Sequence, residues 1–143
     1  VLYCNEDKGI KIIDDYAHHP TEIRATLQGA KSIEHEKLTI IFQPHRYSRV
    51  KFLLQNFTDA FEGAEEVLIL PIYSAGEKDE FGVTVEDLGN VLKNKKVIIE
   101  KNSEKIDERV LNCQGHEVFM FMGAGDISKV AHRIADKLEG KNR

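Results

Sequence analysis

The sequence contains no tryptophan, only three prolines and only two cysteines in 143 residues. The cysteines, Cys4 and Cys113, are far apart and form no Cys-x-x-Cys pair, so the sequence indicates neither a zinc site nor a disulfide framework. So few thiols are typical of a protein of the reducing cytoplasm, which is the compartment we predict. We expect both thiols to be buried or inert rather than catalytic.

Long apolar runs are also missing. No stretch approaches the roughly 18 apolar residues needed to cross a bilayer, and the first residues lack the pattern of an export signal. We therefore predict no membrane insertion. Because the sequence begins at Val1, in the middle of a predicted strand, we expect it to be part of a longer polypeptide.

An excess of positive charge is absent as well. The formal net charge is -4 and the pI is about 5.9, whereas a nucleic-acid-binding domain is expected to carry a basic face. We therefore predict no nucleic-acid partner, and we assign no metal ligand. With 41% hydrophobic and 31% charged residues, the composition is that of a soluble globular protein, and we expect one domain over residues 1–143.

Predicted strands and helices alternate along most of the chain. Two short apolar segments, residues 1–4 and 10–14, flank a polar connection and predict an antiparallel hairpin at a sheet edge. Four further strands are predicted at residues 38–42, 67–72, 97–99 and 117–122. A helix follows each strand from residue 20 onward, and this order predicts an α/β fold with a mostly parallel sheet of about six strands and helices on both faces. The pattern does not give the strand order.

Apolar spacing and capping residues predict the orientation of individual helices. Thr84, with Asp87 three residues later, predicts a capping box at a helix start. In the helix after Arg46, the residues expected to point inward are Phe52, Leu53, Phe57, Ala60 and Phe61.

Residues 14–20 place two acids, a tyrosine and two histidines at a predicted junction between a strand and a helix. Ligands bind at such junctions in open α/β sheets, because the first N–H groups of the helix are unpaired and side chains project into a crevice. Pro20 suits the first helical position, where its missing N–H would have no partner. The alternative is an ordinary acidic turn followed by solvated histidines.

A second candidate segment, residues 43–49, follows the next buried strand. Arg46 and Arg49 are three residues apart near a helix start and can project from one face, and a guanidinium matches a carboxylate in two parallel hydrogen bonds. The alternative, two surface arginines, is disfavoured because positive charge opposes the helix dipole there.

Two glycine-containing loops that follow other predicted strands are further candidates for ligand binding. Residues 123–126 offer exposed N–H groups and a capping acid, Asp126. We favour a tight turn and helix entry over a phosphate site, because the segment is not a full Gly-x-Gly-x-x-Gly and the acid would repel an anion. Residues 73–82 form a loop long enough for a lid, a role that the sequence leaves open.

Residues 15–22, Asp-Tyr-Ala-His-His-Pro-Thr-Glu, resemble the motif that opens the C-terminal domain of the Mur ligases, the ATP-dependent amide-forming enzymes of peptidoglycan precursor synthesis. Residues 42–49 resemble a segment of the branch that adds L-alanine, and residues 73–77 and 123–127 fall where that branch has similar segments. The resemblance spans about residues 10–138. It implies a Rossmann-like three-layer domain.

The chemistry implied by this resemblance is phosphorylation of the UDP-N-acetylmuramate carboxylate by ATP with magnesium, followed by attack of L-alanine on the acyl phosphate. The family's phosphate loop lies in a central domain, and this sequence has no Gly-x-x-x-x-Gly-Lys-[Ser/Thr]. The resemblance therefore implies a third domain that closes over the others and is inactive alone, and we assign no catalytic residue to it.

The resemblance also implies roles for individual residues. The expected nucleotide-binding residues are Asp15, Tyr16 and His18, and the expected L-alanine-binding residues are His18, His45, Arg46 and Arg49. Tyr16 either packs against adenine or lines the alanine pocket, and His18 serves either ligand. Ala17 is glycine in many relatives, a small departure.

Two other assignments remain open at this point. The murein peptide ligases of cell-wall recycling share the first motif but lack the His-Arg-Tyr-x-Arg segment found here at residues 45–49. A free-standing nucleotide-binding regulatory module is the other alternative. A phosphate loop upstream of Val1 in the parent reading frame would favour the ligase over such a module.

Overall fold

The computed structural model of the chain describes residues 1–30 and 37–140. Its strands are β1 (Tyr3–Asn5), β2 (Ile10–Asp15), β3 (Lys37–Phe42), β4 (Glu66–Ile69), β5 (Val97–Ile99) and β6 (Glu117–Met122). Its helices are α1 (Pro20–Ala30), α2 (Tyr47–Leu53), α3 (Val85–Val91), α4 (Ser103–Leu111) and α5 (Ile127–Leu138), and a 3₁₀ helix, Leu54–Phe57, follows α2. The predicted alternation of strand and helix is confirmed.

The six strands form one mixed sheet in the order β1-β2-β6-β3-β4-β5. Strand β1 is antiparallel to β2, and all other neighbours are parallel, so the predicted antiparallel edge is confirmed. The last strand, β6, lies between β2 and β3, which are consecutive in the chain. The parallel strands all end at one edge of the sheet, where α/β proteins bind ligands.

Alternate residues of the central strands supply two hydrophobic cores. In β6, Met120 packs into the core formed with α1, α2 and α3, whereas Phe119 and Phe121 pack into the core formed with α4 and α5. Successive side chains of a strand point to opposite faces, so one buried strand serves both layers. The predicted three-layer α/β architecture is therefore confirmed.

The helix after Arg46 is shorter than predicted. Phe57, Ala60 and Phe61 are buried as expected, but Phe52 is 74% exposed, and the prediction that it points inward is wrong. Helix α2 ends at Leu53 and the chain continues as a 3₁₀ helix and turns, so a 3.6-residue periodicity does not carry across this boundary. The rings of Phe52 and Phe81 are in an edge-to-face arrangement, with centroids 6.0 Å apart.

The capping box at the start of α3 is confirmed. The Asp87 N–H donates to Thr84 Oγ1 at 3.1 Å, and the Thr84 N–H donates to Asp87 Oδ2 at 2.9 Å.

Cys4 is exposed and Cys113 is half-buried, and both are free thiols. No helix in the described ranges is long and apolar enough to span a membrane.

A cluster of buried ions closes the opposite, amino-terminal edge of the sheet. Glu66 and Glu117 are 1% and 5% exposed. Arg109 Nη2 lies 2.6 Å from Glu117 Oε2 and 3.3 Å from Glu66 Oε2, while Lys37 Nζ lies 2.8 Å from Glu66 and Thr39 Oγ1 donates to Glu117. Burial alone would raise the pKa of Glu66, but the Lys37 hydrogen bond and the Arg109 charge outweigh it and lower that pKa. Glu66 therefore remains ionised inside the protein.

Replacing Arg109 with methionine is expected to lower the free energy of unfolding of the purified chain by about 3 kcal/mol, because two buried carboxylates lose their shared cation. Urea denaturation at neutral pH measures this change. Lys105→Met, at an exposed position of the same helix, is the control, with an expected change within about 0.5 kcal/mol. Equal losses in the two variants would show that the ion cluster is not the cause.

Candidate functional site

Four loops meet at the carboxyl-terminal edge of the sheet, because the strands that lead into them are neighbours and parallel. They comprise residues 16–19 after β2, 43–46 after β3, 70–84 after β4 and 123–126 after β6. They contain every residue that the sequence singled out for ligand binding except Asp15 and Arg49, which lie at the end of β2 and in α2.

The two acids at the end of β2 have separate environments. Asp14 Oδ2 accepts a hydrogen bond from Ser128 Oγ at 2.7 Å and lies 3.7 Å from His132 Nε2, so Asp14 joins β2 to α5. Asp15 Oδ1 accepts from the Ala17 N–H at 2.8 Å. Its other oxygen forms no hydrogen bond with residues 1–30 or 37–140. Of the two acids, Asp15 is therefore the one available to a ligand.

The two adjacent histidines also differ in role. The Thr21 N–H donates to His19 Nδ1 at 3.1 Å, and the His19 N–H donates to Glu22 Oε1 at 3.2 Å. This pair of bonds resembles a capping box, except that the imidazole nitrogen of His19 accepts from the second helical residue instead of the third. His19 is thus used to begin α1, and His18 is left for the site.

Four aromatic rings from three loops form a row along the edge, which we call the ring row: Tyr16, His18, His45 and Tyr73. The ring centroids of Tyr16 and His18 are 5.4 Å apart, and those of His18 and His45 are 5.1 Å apart. His45 and Tyr73 are stacked, with centroids 5.5 Å apart and an interplanar angle of 16°. The outer end, Tyr16, is 70% exposed. The ring row brings the histidine of the first motif next to that of the second.

Arg49 is attached to the ring row through His45. Arg49 Nη1 lies 3.0 Å from His45 Nδ1, and since arginine has only donors, this nitrogen of His45 is the acceptor and carries no proton. Burial, followed by the charges of His18, Arg49 and Arg46, lowers the pKa of His45 below its ordinary value. His45 is therefore a neutral support for a guanidinium.

Arg46 differs from Arg49 in its surroundings. Its side chain is exposed and forms no hydrogen bond or ion pair with another side chain in the described part of the chain. Its backbone is held firmly, because the Arg46 N–H donates to the Tyr73 carbonyl at 2.7 Å and the Tyr73 N–H donates to the Pro44 carbonyl at 2.8 Å. Arg46 also has a φ of 71°, a strained value for a residue with a Cβ. One guanidinium is thus anchored and its neighbour is available.

Glu77, Gln43 and Tyr73 were not identified as site residues from the sequence. Glu77 binds the start of α2 through Ser48, and Tyr73 completes the ring row. Gln43 Oε1 accepts from the Ile127 N–H at 3.0 Å and so caps α5. All three follow buried strands, and their position after a parallel strand is the signal that could have drawn attention to them.

The turn at residues 123–126 is tightly packed, as predicted from its sequence. A Cβ on Gly125 would lie 2.6 Å from Tyr73 Cγ, and one on Gly123 would lie 2.9 Å from the Gln43 carbonyl oxygen. Asp126 forms no side-chain cap bond, so the prediction of a capping acid is wrong; Gln43 performs that function. The glycines are needed here because neighbouring loops touch the backbone.

A groove of about 470 Å³ opens at the same edge on the far side of Tyr73. The starts of α4 and α5 border it, and among its lining residues are Ser74, Lys101, Ser103 and Asp126. Within residues 1–30 and 37–140, no group of three histidine, cysteine or acidic side chains is arranged to hold a metal ion.

Comparison with known sequences gives a consistent family. The model of the family described as "Mur ligase, glutamate ligase domain" matches residues 2–125. The UDP-N-acetylmuramate–L-alanine ligase of Fusobacterium nucleatum is 50% identical over 138 residues, which is 96% of this chain and 30% of that protein. The ligase of the same name from Lachnospira eligens is 44% identical over 129 residues, which is 88% of this chain and 28% of that protein. The chain thus spans about 30% of the length of these relatives.

A solved structure supports the same conclusion. The crystal structure of UDP-N-acetylmuramate-alanine ligase from Thermotoga maritima superposes with a TM-score of 0.74 at 31% identity. The superposition covers 96% of this chain and 29% of that one.

In an NMR titration of the purified chain, the imidazole of His45 is expected to titrate below the ordinary histidine value, and Arg49→Ala is expected to raise its pKa by removing a nearby positive charge. Because protonation is then weaker in the folded than in the unfolded state, the free energy of unfolding should decrease as the pH falls below about 6.5.

The control for this titration is Arg24→Ala, which removes a guanidinium that pairs with Asp59 instead of the ring row. An unchanged His45 titration in Arg49→Ala would mean that the two side chains are not in contact in solution.

Proposed function

The chain belongs to the Mur ligase family, and on that premise we propose that it is the C-terminal, third domain of an ATP-dependent ligase that joins L-alanine to UDP-N-acetylmuramate in peptidoglycan precursor synthesis. The observation that carries the proposal is the arrangement of Arg46 and Arg49 beside the ring row. The similarity to L-alanine ligases over nearly the whole chain supports it. We assign the enzyme to the cytoplasm, where ATP is available, and the domain to residues 1–143.

The two arginines fit the carboxylate of a free amino acid. Arg49 is held in place by His45 at 3.0 Å, and the guanidinium of Arg46 forms no ion pair with an anion of residues 1–30 or 37–140. A substrate carboxylate would supply that anion, and the planar guanidinium matches it in two parallel hydrogen bonds. We propose that His45 supports Arg49 and that His18, 5.1 Å away in the ring row, forms the adjacent wall of the L-alanine site.

The end of β2 fits the nucleoside part of ATP. The unbonded oxygen of Asp15 is suited to accept from a ribose hydroxyl or from a water bound to magnesium, and the exposed ring of Tyr16 is suited to pack against adenine. We assign His18 a place between the two ligands, since it contacts the rings of both Tyr16 and His45.

The loops of this chain are poorly suited to bind the triphosphate of ATP and its magnesium ion. The sequence has no phosphate loop, and the glycine turn at residues 123–126 is filled by neighbouring side chains and bears an acid. We therefore propose that a central domain of the longer enzyme holds these groups, together with UDP-N-acetylmuramate. The acyl phosphate formed there is strongly anionic, and closure of this domain would bring L-alanine to it with the cationic side chains needed to stabilise the developing charge.

The purified chain is expected to hydrolyse no ATP and to bind it only at millimolar concentration, because the base and ribose are the only parts of the nucleotide that it can contact. NMR titration with ATP should shift the resonances of residues 15–19. Magnesium-dependent turnover, or tight binding with shifts centred on residues 123–126, would mean that the nucleotide site is elsewhere.

In the full-length enzyme, Arg46→Ala and Arg49→Ala are each expected to remove a charge-assisted contact worth about 2 to 4 kcal/mol. This loss corresponds to a decrease of about 30- to 1,000-fold in kcat/KM for L-alanine. The KM for ATP should change far less. Arg46→Lys should restore only part of the activity, because an ammonium group cannot reproduce the planar fork.

The measurement is a matrix of each variant against all three substrates. Lys51→Ala removes an exposed positive charge from the same helix and serves as the control. A loss confined to ATP or to the UDP-sugar would reject the carboxylate assignment and move the arginines to phosphate binding.

A further inference from the structure

Helix α2 begins in an electrostatically unfavourable way. It has no acidic residue in its first turn, and Arg46 and Arg49 place positive charge at the positive end of the helix dipole. Arg46 occupies the N-cap position with a φ of 71° and provides no side-chain cap for the free N–H groups. An isolated segment with these features would not be expected to hold a fixed helix start.

The missing cap comes from Glu77, in the loop after β4. Glu77 Oε1 accepts from the Ser48 N–H at 3.1 Å, and Oε2 accepts from Ser48 Oγ at 2.5 Å. These bonds and the nearby charge of Arg46 lower the pKa of Glu77, with the Ser48 hydroxyl as the largest cause, so the carboxylate is ionised at neutral pH. It supplies both acceptors and a negative charge where α2 lacks them.

The backbone of the loop directs Glu77 to this position. The Glu77 N–H donates to the Ser74 carbonyl at 3.0 Å, which closes a four-residue turn. Both central residues have positive φ, 51° for Ala75 and 85° for Gly76, as in a type I′ turn. Positive φ at an alanine costs stability and persists only where surrounding contacts enforce it. The turn is therefore adapted to return the chain from Tyr73 toward α2.

We propose that Glu77 is a positioning residue for the amino-acid substrate, acting by holding the start of α2, and with it Arg46 and Arg49, against the ring row. Glu77 itself does not bind the substrate in this role. Its hydrogen bonds to Ser48 fix where the two guanidinium groups lie when L-alanine arrives. The inference rests on the proposed function and assigns to residues 73–77 an anchoring role instead of a mobile one.

The test uses the full-length enzyme and compares Glu77→Ala with Glu77→Gln. The alanine variant loses both carboxylate acceptors that bind Ser48, and its KM for L-alanine is expected to rise about tenfold or more. The glutamine variant keeps an acceptor for the Ser48 N–H and a donor for Ser48 Oγ, so its KM should return to within about threefold of the wild-type value. In both variants the KM values for ATP and UDP-N-acetylmuramate should remain nearly unchanged.

Two further variants sharpen the comparison. Ser48→Ala removes only the hydroxyl bond and should raise the KM for L-alanine by less than Glu77→Ala does. Glu80→Ala removes an exposed acid from the same loop and should leave all three KM values unchanged.

Several outcomes would overturn the inference. One is an unchanged KM for L-alanine in Glu77→Ala, and another is a decrease in kcat with all KM values constant and a lowered melting temperature, which indicates a purely structural role. If Arg46→Ala and Arg49→Ala raise the KM for L-alanine while Glu77→Ala does not, the role of Glu77 alone is rejected. If the arginine variants also leave that KM unchanged, the proposed function fails and this inference fails with it.

Discussion

Hydrogen bonding along both sides of β6 is the constraint on which the rest of the structure depends. Met122, the last residue of β6, pairs with Asp15 at the end of β2 and with Phe42 at the end of β3. Phe42 in turn pairs with Ile69 at the end of β4. Four strands therefore end at the same level, and the loops that follow them begin within reach of one another. The ring row results directly from this register.

The amino-terminal and carboxyl-terminal edges of the sheet differ in how their charged side chains are paired. At the amino-terminal edge, Arg109 joins two buried acids that are satisfied entirely within the chain. At the carboxyl-terminal edge, the backbone of Arg46 is strained, and its guanidinium forms no ion pair within the described residues. Strain and unpaired charge are features of ligand sites, whereas fully paired buried ions are features of structure. Because the two edges are separate, the sequence of the loops at the carboxyl-terminal edge can change without loss of the ion cluster that stabilises the fold.

The sequence was sufficient for features that depend on local pattern or on a shared sheet edge. The mainly apolar sequence of β3 predicts a buried strand, and the resemblance implies that His18 and His45 serve the same ligand. Contacts between distant residues were not predictable in this way. Gln43 caps a helix 84 residues later, and Glu77 caps one 29 residues earlier, because the sheet order sets their proximity. The order of the strands in the sheet cannot be read from the hydrophobic periodicity of the sequence.

Local pattern also gave errors where the backbone changes type. Phe52 has the spacing of an inward residue of a continuous helix, but the chain leaves the α-helix at Leu53. Asp126 has the chemistry of a helix cap, but its side chain forms no cap bond, and the Gln43 amide of another loop accepts from the first N–H of the helix. In both cases tertiary geometry overrode a local preference that was itself reasonable.

The central place of β6 has a consequence for how the protein is made. Strands β2 and β3 leave the ribosome before β6, yet in the finished sheet they are separated by that strand, a gap of about 10 Å. Residues 117–122 fill that gap and are synthesised near the end of this segment. Until then, two apolar strands have unpaired edges, which are prone to associate with other chains. The facing edges of β2 and β3 therefore stay unpaired until residues 117–122 have emerged.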